Sequence, residues 1–294
     1  MKTIFGVMRP PFLILGPASV FLGLAVAIAS GADIRPWHAV LAFAGGILAH
    51  IAVNALNEYD DFKSGLDLHT TPTPFSGGSG SLPRDPKRVT AALITGLTAA
   101  LLVVAIGVYF FTFRGWPIVV IGLLGMFVIA AYTPILNRLP LLCLLAPGLG
   151  FGTLMVLGTY NALTGGFSLA ALLASFIPFF LVSNLLLLNQ FPDAEADKTV
   201  GRRHYPILIG NKASAWIFVS FLAATYLTII FCVIFGVFPV WCLLGLLTLV
   251  FGFPAAKGAL EHPDDPPKLM PSMAMNVLAN IVTPVLVGIG FLIG

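Results

Sequence analysis

Two runs of carboxylates interrupt a chain that is otherwise almost wholly apolar. The first reads Asn57-Glu58-Tyr59-Asp60-Asp61-Phe62-Lys63-Ser64-Gly65-Leu66-Asp67. The second reads Asn189-Gln190-Phe191-Pro192-Asp193-Ala194-Glu195-Ala196-Asp197-Lys198 and continues to Gly201-Arg202-Arg203. Hard oxygen donors at this density suit Mg²⁺, and Mg²⁺ suits a phosphorylated substrate. Two carboxylate clusters repel one another unless a cation lies between them. Mg²⁺ ions bridging a diphosphate would neutralise it and make it a good leaving group. If the carbon it leaves is allylic, the result is a delocalised cation, which needs an aromatic, water-poor wall and a nucleophile already in place.

Helical spacing gives the acids a geometry. Asn57 and Asp61 are four apart and share a face if the preceding apolar helix continues past the membrane surface. Gly65 offers a break after which Asp67 can fold back toward the same point. Asn189, Asp193, Asp197 and Gly201 also repeat at four, with Pro192 expected to put a kink after Asn189. One such cluster reads equally well as a solvated helix end in the headgroup layer. Two clusters with Asn-x-x-x-Asp spacing at equivalent span ends argue for a shared task.

The elements that must position them are membrane helices. Hydrophobic residues make up 58% of 294 positions and charged residues 9%, against roughly 25% charged in soluble domains. The mean hydropathy is +0.99. Apolar spans are expected near 11–30, 38–57, 88–110, 116–135, 140–160, 167–189, 213–235, 237–256 and 272–293, each about long enough to cross a bilayer as a helix. The fold class is therefore all-α, a polytopic membrane protein of nine transmembrane helices in one domain over 1–294. The seventh and eighth spans are separated by Gly236-Val237-Phe238-Pro239 without any charge. The alternation that a membrane β-barrel requires is missing.

With the N-terminus in the cytoplasm, every Lys and Arg except Arg35 and Arg114 falls inside, as the positive-inside rule asks. The same topology puts every acid except Asp33 on that face. The first apolar stretch is longer than a signal core and opens with Pro10-Pro11, so it reads as a span and not a cleaved leader. A formal charge of +3 does not argue for nucleic acid as a partner. Cys143, Cys232 and Cys242 are spaced neither as a metal motif nor as a disulfide framework, and read as packing residues.

Three connections are long, and all fall on the cytoplasmic face. Residues 58–87 carry Ser76-Gly77-Gly78-Ser79-Gly80-Ser81, which lacks P-loop spacing and reads as a lid or a flexible linker. Residues 190–212 hold the second acidic run. Residues 257–271, with four prolines, read as a connector. His50, seven residues before Asn57 in an apolar span, reads as a hydrogen-bonded packing residue sooner than as a base. A rival class, an ion-coupled transporter, would need its acids at mid-membrane depth, whereas these sit at span ends.

The paired motifs, and the span count with them, resemble the UbiA superfamily of intramembrane prenyltransferases. That superfamily has aspartate-rich motifs of the forms N-D-x-x-D and D-x-x-x-D. Residues 57–67 are similar to the N-D-Y-F-D-x-x-x-G-x-D pattern of its MenA-like branch, which prenylates 1,4-dihydroxy-2-naphthoate. Met155-Val156-Leu157-Gly158-Thr159-Tyr160 and residues 189–201 resemble that branch as well. The resemblance implies a UbiA-type helical bundle in the cell membrane. It implies polyprenyl diphosphate and an aromatic or quinone-precursor acceptor as substrates, met among membrane lipid, with Mg²⁺ as cofactor. Asn57, Asp61, Asp67, Asp193 and Asp197 match the metal ligands, with Asn189 beside them toward the diphosphate. Asp61 and Asp193 are central to catalysis. Arg138, after Tyr132-Thr133-Pro134, matches a diphosphate-binding basic residue; Lys63 and Lys198 are further candidates for that charge, and Tyr132 for the wall of the cation site. The chain departs from the branch in four places. Glu58 stands for the usual aspartate, and Pro192 for a frequent arginine. No Gly-Glu opens the fifth span, and the Ser/Gly-rich segment from Ser76 differs from the corresponding loop. All four fall where diphosphate or acceptor would be read, so an acceptor other than naphthoate stays open.

Overall fold

The computed structural model describes residues 2–70 and 72–294; Met1 and Thr71 lie outside the described residues. Helices dominate it, and no strand occurs among the described residues. The long segments are α1 (Leu15–Ala29), α2 (Pro36–Lys63), α3 (Val89–Arg114), α4 (Trp116–Ala131), α5 (Pro140–Thr164), α6 (Leu169–Thr199), α7 (Asn211–Ile234), α8 (Val240–Glu261) and α9 (Pro266–Ile293).

Among the described residues, seven helices are long and apolar enough to cross a bilayer, so the count of nine is not reproduced in full. Two of the expected spans account for the difference, and prolines shape both. The first is broken: residues Thr3–Phe12 and α1 meet at 46°, where Pro10 and Pro11 start a 3₁₀ turn. The fourth, α4, has 16 residues, about 24 Å of helix against a core of about 30 Å. Pro117 sits in its first turn, and the chain leaves it just before Pro134. The expected break between the seventh and eighth spans is present: α7 ends at Ile234, and Gly236 takes a φ of 70°. The third long connection, expected as a proline-rich linker, is short. Pro266 and Pro267 occupy the first turn of α9, where a missing N–H costs nothing, so only His262–Asp265 separate it from α8.

The main core is centred on α1, α6, α7 and α9, where Leu22, Leu181, Leu188, Phe218 and Val287 are all buried. α6 is the most buried of the spans. It is held against α5 at a place where side chains are nearly absent. A Cβ on Gly148 would lie 2.1 Å from the Phe179 carbonyl oxygen, and one on Gly152 would lie 2.3 Å from the Phe179 nitrogen. This small-x-x-x-small pair lets the two backbones touch, as in other membrane helix pairs. The helix widens there into a π-turn over Leu149–Leu154. Close approach at this level sets how far α6 stands from the helices opposite, and α6 carries the second acidic run.

Candidate active site

Both acidic runs ride on the ends of long helices. α2 continues six residues beyond Asn57, so Asn57 and Asp61 are successive turns of one helix. Past Ser64 the chain reverses at Gly65, whose φ of 81° is a conformation glycine adopts without penalty, and the 3₁₀ turn Leu66–Leu68 brings Asp67 back. α6 starts on Ser168, whose hydroxyl caps the Ala171 N–H at 3.0 Å. It runs unbroken through Pro192 to Thr199, so Asn189, Asp193 and Asp197 stack on one helix with no break at the proline. Gly201 then turns the chain at a φ of 78°, and the Arg202 N–H closes onto the Asp197 carbonyl at 3.1 Å.

These reversals bring both runs to one polar cavity of about 90 Å³, lined by Asn57, Asp61, Asp67, Asn189, Asp193 and Asp197 together with Arg9 and Arg202. Arg202 joins the two halves: its guanidinium is hydrogen-bonded to Asp61 Oδ1 and, at 3.0 Å, to Asp197 Oδ1. His204 Nε2 contacts the other Asp197 oxygen at 2.8 Å, so Asp197 is held from both sides. Burial alone would lower the Arg202 pKa, but the charges of Asp61 and Asp197 more than offset it and hold the guanidinium charged. Asp67 is in the opposite situation. Burial, reinforced by Glu58 and Asp61, pushes its carboxyl up to about 7.

The glycine-rich loop lies over this cavity. Gly77 donates its N–H to Asp193 Oδ2 at 2.9 Å. Ser79 donates its N–H and its hydroxyl to the two Glu58 oxygens, each at 2.7 Å. Gly78 passes so close that a Cβ there would meet Asp67 Oδ1 at 2.9 Å. Deeper in the protein the polar cavity meets an apolar chamber of about 160 Å³. The two share Arg9, Asn57, Phe75, Tyr132, Leu186 and Asn189. A third, still more apolar recess between α2, α3, α4 and α5 shares Ala49, Gly125 and Met155 with the chamber.

Tyr132 therefore stands at the join between the acids and the apolar wall. Its hydroxyl is 3.9 Å from Cys143 Sγ. Three other expected residues are not brought in. Lys63 and Arg138 are exposed and absent from the cavity lining, and Lys198 is exposed and paired with Glu195 at 2.6 Å. Beside Arg138, its neighbour Asn137 is the residue that lines the cavity, with the Arg203 N–H on its carbonyl at 3.0 Å. The positive charge comes instead from Arg9, in the first half of the broken first span, and from Arg202, five residues beyond Asp197. Arg202 had a signal in the sequence, since it directly extends the second run; Arg9 had none beyond its sign. His50 lines the chamber, its ring centre 4.5 Å from that of Phe151, and its Nδ1 has no hydrogen-bond partner.

Two acidic motifs, two arginines and an apolar chamber thus meet at one point of an all-helical membrane protein, the arrangement of an intramembrane enzyme. The chain belongs to the UbiA prenyltransferase family, whose sequence model matches residues 17–278, and it is a multi-pass membrane prenyltransferase. It is 28% identical over 247 residues to 1,4-dihydroxy-2-naphthoate octaprenyltransferase of Bacillus subtilis (strain 168), covering 83% of this chain and 77% of that one. Its fold is that of the apo UbiA homologue from Aeropyrum pernix K1, with a TM-score of 0.72 at 17% identity over 96% of this chain and 97% of that one. A UbiA homologue from Archaeoglobus fulgidus bound to DMAPP and Mg²⁺ gives a TM-score of 0.60 at 19% identity, over 97% and 98% of the two chains.

Proposed function

We propose that this enzyme transfers a polyprenyl group from its diphosphate to an aromatic or quinone-precursor acceptor, as a step of menaquinone biosynthesis. One observation carries the reading: both acidic motifs line a single cavity that opens onto an apolar chamber. The Bacillus subtilis relative, by its name an octaprenyltransferase acting on dihydroxynaphthoate, supports the acceptor class.

The residues fit Mg²⁺. Every candidate donor is oxygen, and Asp67 Oδ2 and Asn189 Oδ1 are buried beside the cavity without a hydrogen-bond partner. No ready group of three His, Cys, Asp or Glu side chains occurs among the described residues. Arg202 bridges Asp61 and Asp197 instead, and the Gly77 N–H is bonded to Asp193. Asn57, Asp61, Asp67, Asp193 and Asp197 are the residues that would hold the metal. When bound, Mg²⁺ neutralises diphosphate and eases its departure.

The chain's own part is to bind, orient and exclude water. Arg9 and Arg202 supply fixed positive charge for the diphosphate oxygens, which guanidinium geometry suits. The apolar chamber takes the prenyl tail, and Tyr132 presents its ring where the allylic carbon becomes cationic. The donor C–O bond breaks, an acceptor ring carbon bonds to the allylic carbon, and the ring loses a proton. The acid-bearing face is cytoplasmic in the cell membrane, since the basic residues gather there. The test is purified protein with Mg²⁺, labelled allylic diphosphates of several lengths and a panel of aromatic acceptors, with products identified by mass. Failure of every donor to react would overturn the reading.

A further inference from the structure

Glu58 is the acidic residue of the first run held by both Arg9 and the glycine-rich strap. It is 1% exposed. Its Oε1 accepts from Arg9 Nε at 2.8 Å and from the Ser79 N–H at 2.7 Å, and it lies 2.8 Å from a second Arg9 nitrogen. Its Oε2 accepts from the Ser79 hydroxyl at 2.7 Å. Each carboxylate oxygen has about two lone-pair sites, so Oε1 has none to spare, and Oε2 is already engaged by the strap. Asp67 Oδ2, close by, has no partner. The two carboxylates are thus prepared for different work.

What Glu58 holds is equally specific. Arg9 lines both the polar cavity and the chamber, and it is the one non-glycine residue with positive φ, 51°, among those described. Such a conformation persists only when surrounding contacts over-determine it. Ser79 belongs to the loop whose Gly77 reaches Asp193 on the opposite helix. Gly77, Gly78 and Gly80 all have positive φ, a conformation glycine adopts without penalty, so the path of the strap depends on them.

We propose that Glu58 is a positioning residue and not a metal ligand: it latches the strap 76–80 over the diphosphate cavity and fixes Arg9 at the mouth of the chamber. This rests on the prenyl-transfer reading above. Its consequence is water exclusion. With the latch loosened, water competes with the acceptor: its oxygen bonds to the allylic carbon as the donor C–O bond breaks, giving prenyl alcohol, diphosphate and a proton.

Two readouts test it on the full-length protein in detergent, with Glu58→Gln and Ser79→Ala. Hydrogen exchange of the peptide containing 76–81 needs no activity and is expected to quicken roughly tenfold in both variants, as charged hydrogen bonds to the strap are lost. In the assay, the fraction of donor released as prenyl alcohol is expected to rise about tenfold, while the Mg²⁺ concentration for half-maximal rate stays within about twofold. A tenfold rise in that Mg²⁺ concentration with strap exchange unchanged would make Glu58 a ligand and overturn the proposal, as would wild-type exchange in both variants. If wild-type protein consumes no allylic diphosphate, the reaction assigned above fails, and the exchange measurement still decides whether Glu58 holds the strap.

Discussion

Arg202 and Asp61 are hydrogen-bonded across 141 residues of sequence, and that contact ties the end of the second acidic run to the middle of the first. Both side chains are largely buried. In this way a guanidinium occupies the space between carboxylates that would otherwise repel one another.

Asp61→Asn and Asp193→Asn should keep the fold and lose the chemistry. Each keeps the side-chain shape while removing the charge, so kcat is expected to fall roughly a thousandfold or more. Thermal melting in detergent should confirm folding of both variants. Full transfer by either would remove these residues from the catalytic centre.

Arg202→Lys should not rescue function. A lysine ammonium cannot span Asp61 and Asp197 with a planar fork. The KM for the prenyl diphosphate is expected to rise at least about tenfold, with a smaller change in the acceptor KM. Steady-state kinetics with each substrate varied in turn would show it.

Metal should stabilise the protein even without substrate. Mg²⁺ that binds only the folded state, at a hundred times its Kd, adds about 2.7 kcal/mol. The melting temperature is therefore expected to rise on Mg²⁺ addition and to return on chelation, and Asp67→Asn should weaken the shift. A flat melting temperature across Mg²⁺ concentrations would argue against a carboxylate-held cation.

Gly148→Ala and Gly152→Ala should act at a distance from the chemistry. Either Cβ would sit inside contact distance of the Phe179 backbone, so α5 and α6 must separate. Overpacking of this kind costs about 1–3 kcal/mol. It would also displace Asp193, so activity is expected to fall along with the melting temperature.

Lys63→Ala, Lys198→Ala and Arg138→Ala should each leave kcat/KM within about twofold of wild type, because all three are exposed and off the cavity. The Lys198–Glu195 pair lies at the surface, where such pairs contribute about 0–1 kcal/mol. A large loss for any one would show that it reaches the substrate.

Hydropathy and spacing by themselves determined the helical membrane class, most span positions and the six residues Asn57, Asp61, Asp67, Asn189, Asp193 and Asp197. The reason is that bilayer thickness and the 3.6-residue turn are local constraints written directly into residue order. Tertiary structure decided which cations meet those acids. Among the basic residues, sign and proximity in sequence favoured Lys63 and Lys198, and the family resemblance Arg138, yet Arg9 and Arg202 reach the cavity, because the bent entry to α1 and the Gly201 turn carry them there. It also decided that Pro192 leaves α6 continuous and that Glu58 is committed to Arg9 and Ser79. Those outcomes depend on backbones meeting across tens of residues, as at Gly148 and Phe179, and no periodicity within one helix encodes such a meeting.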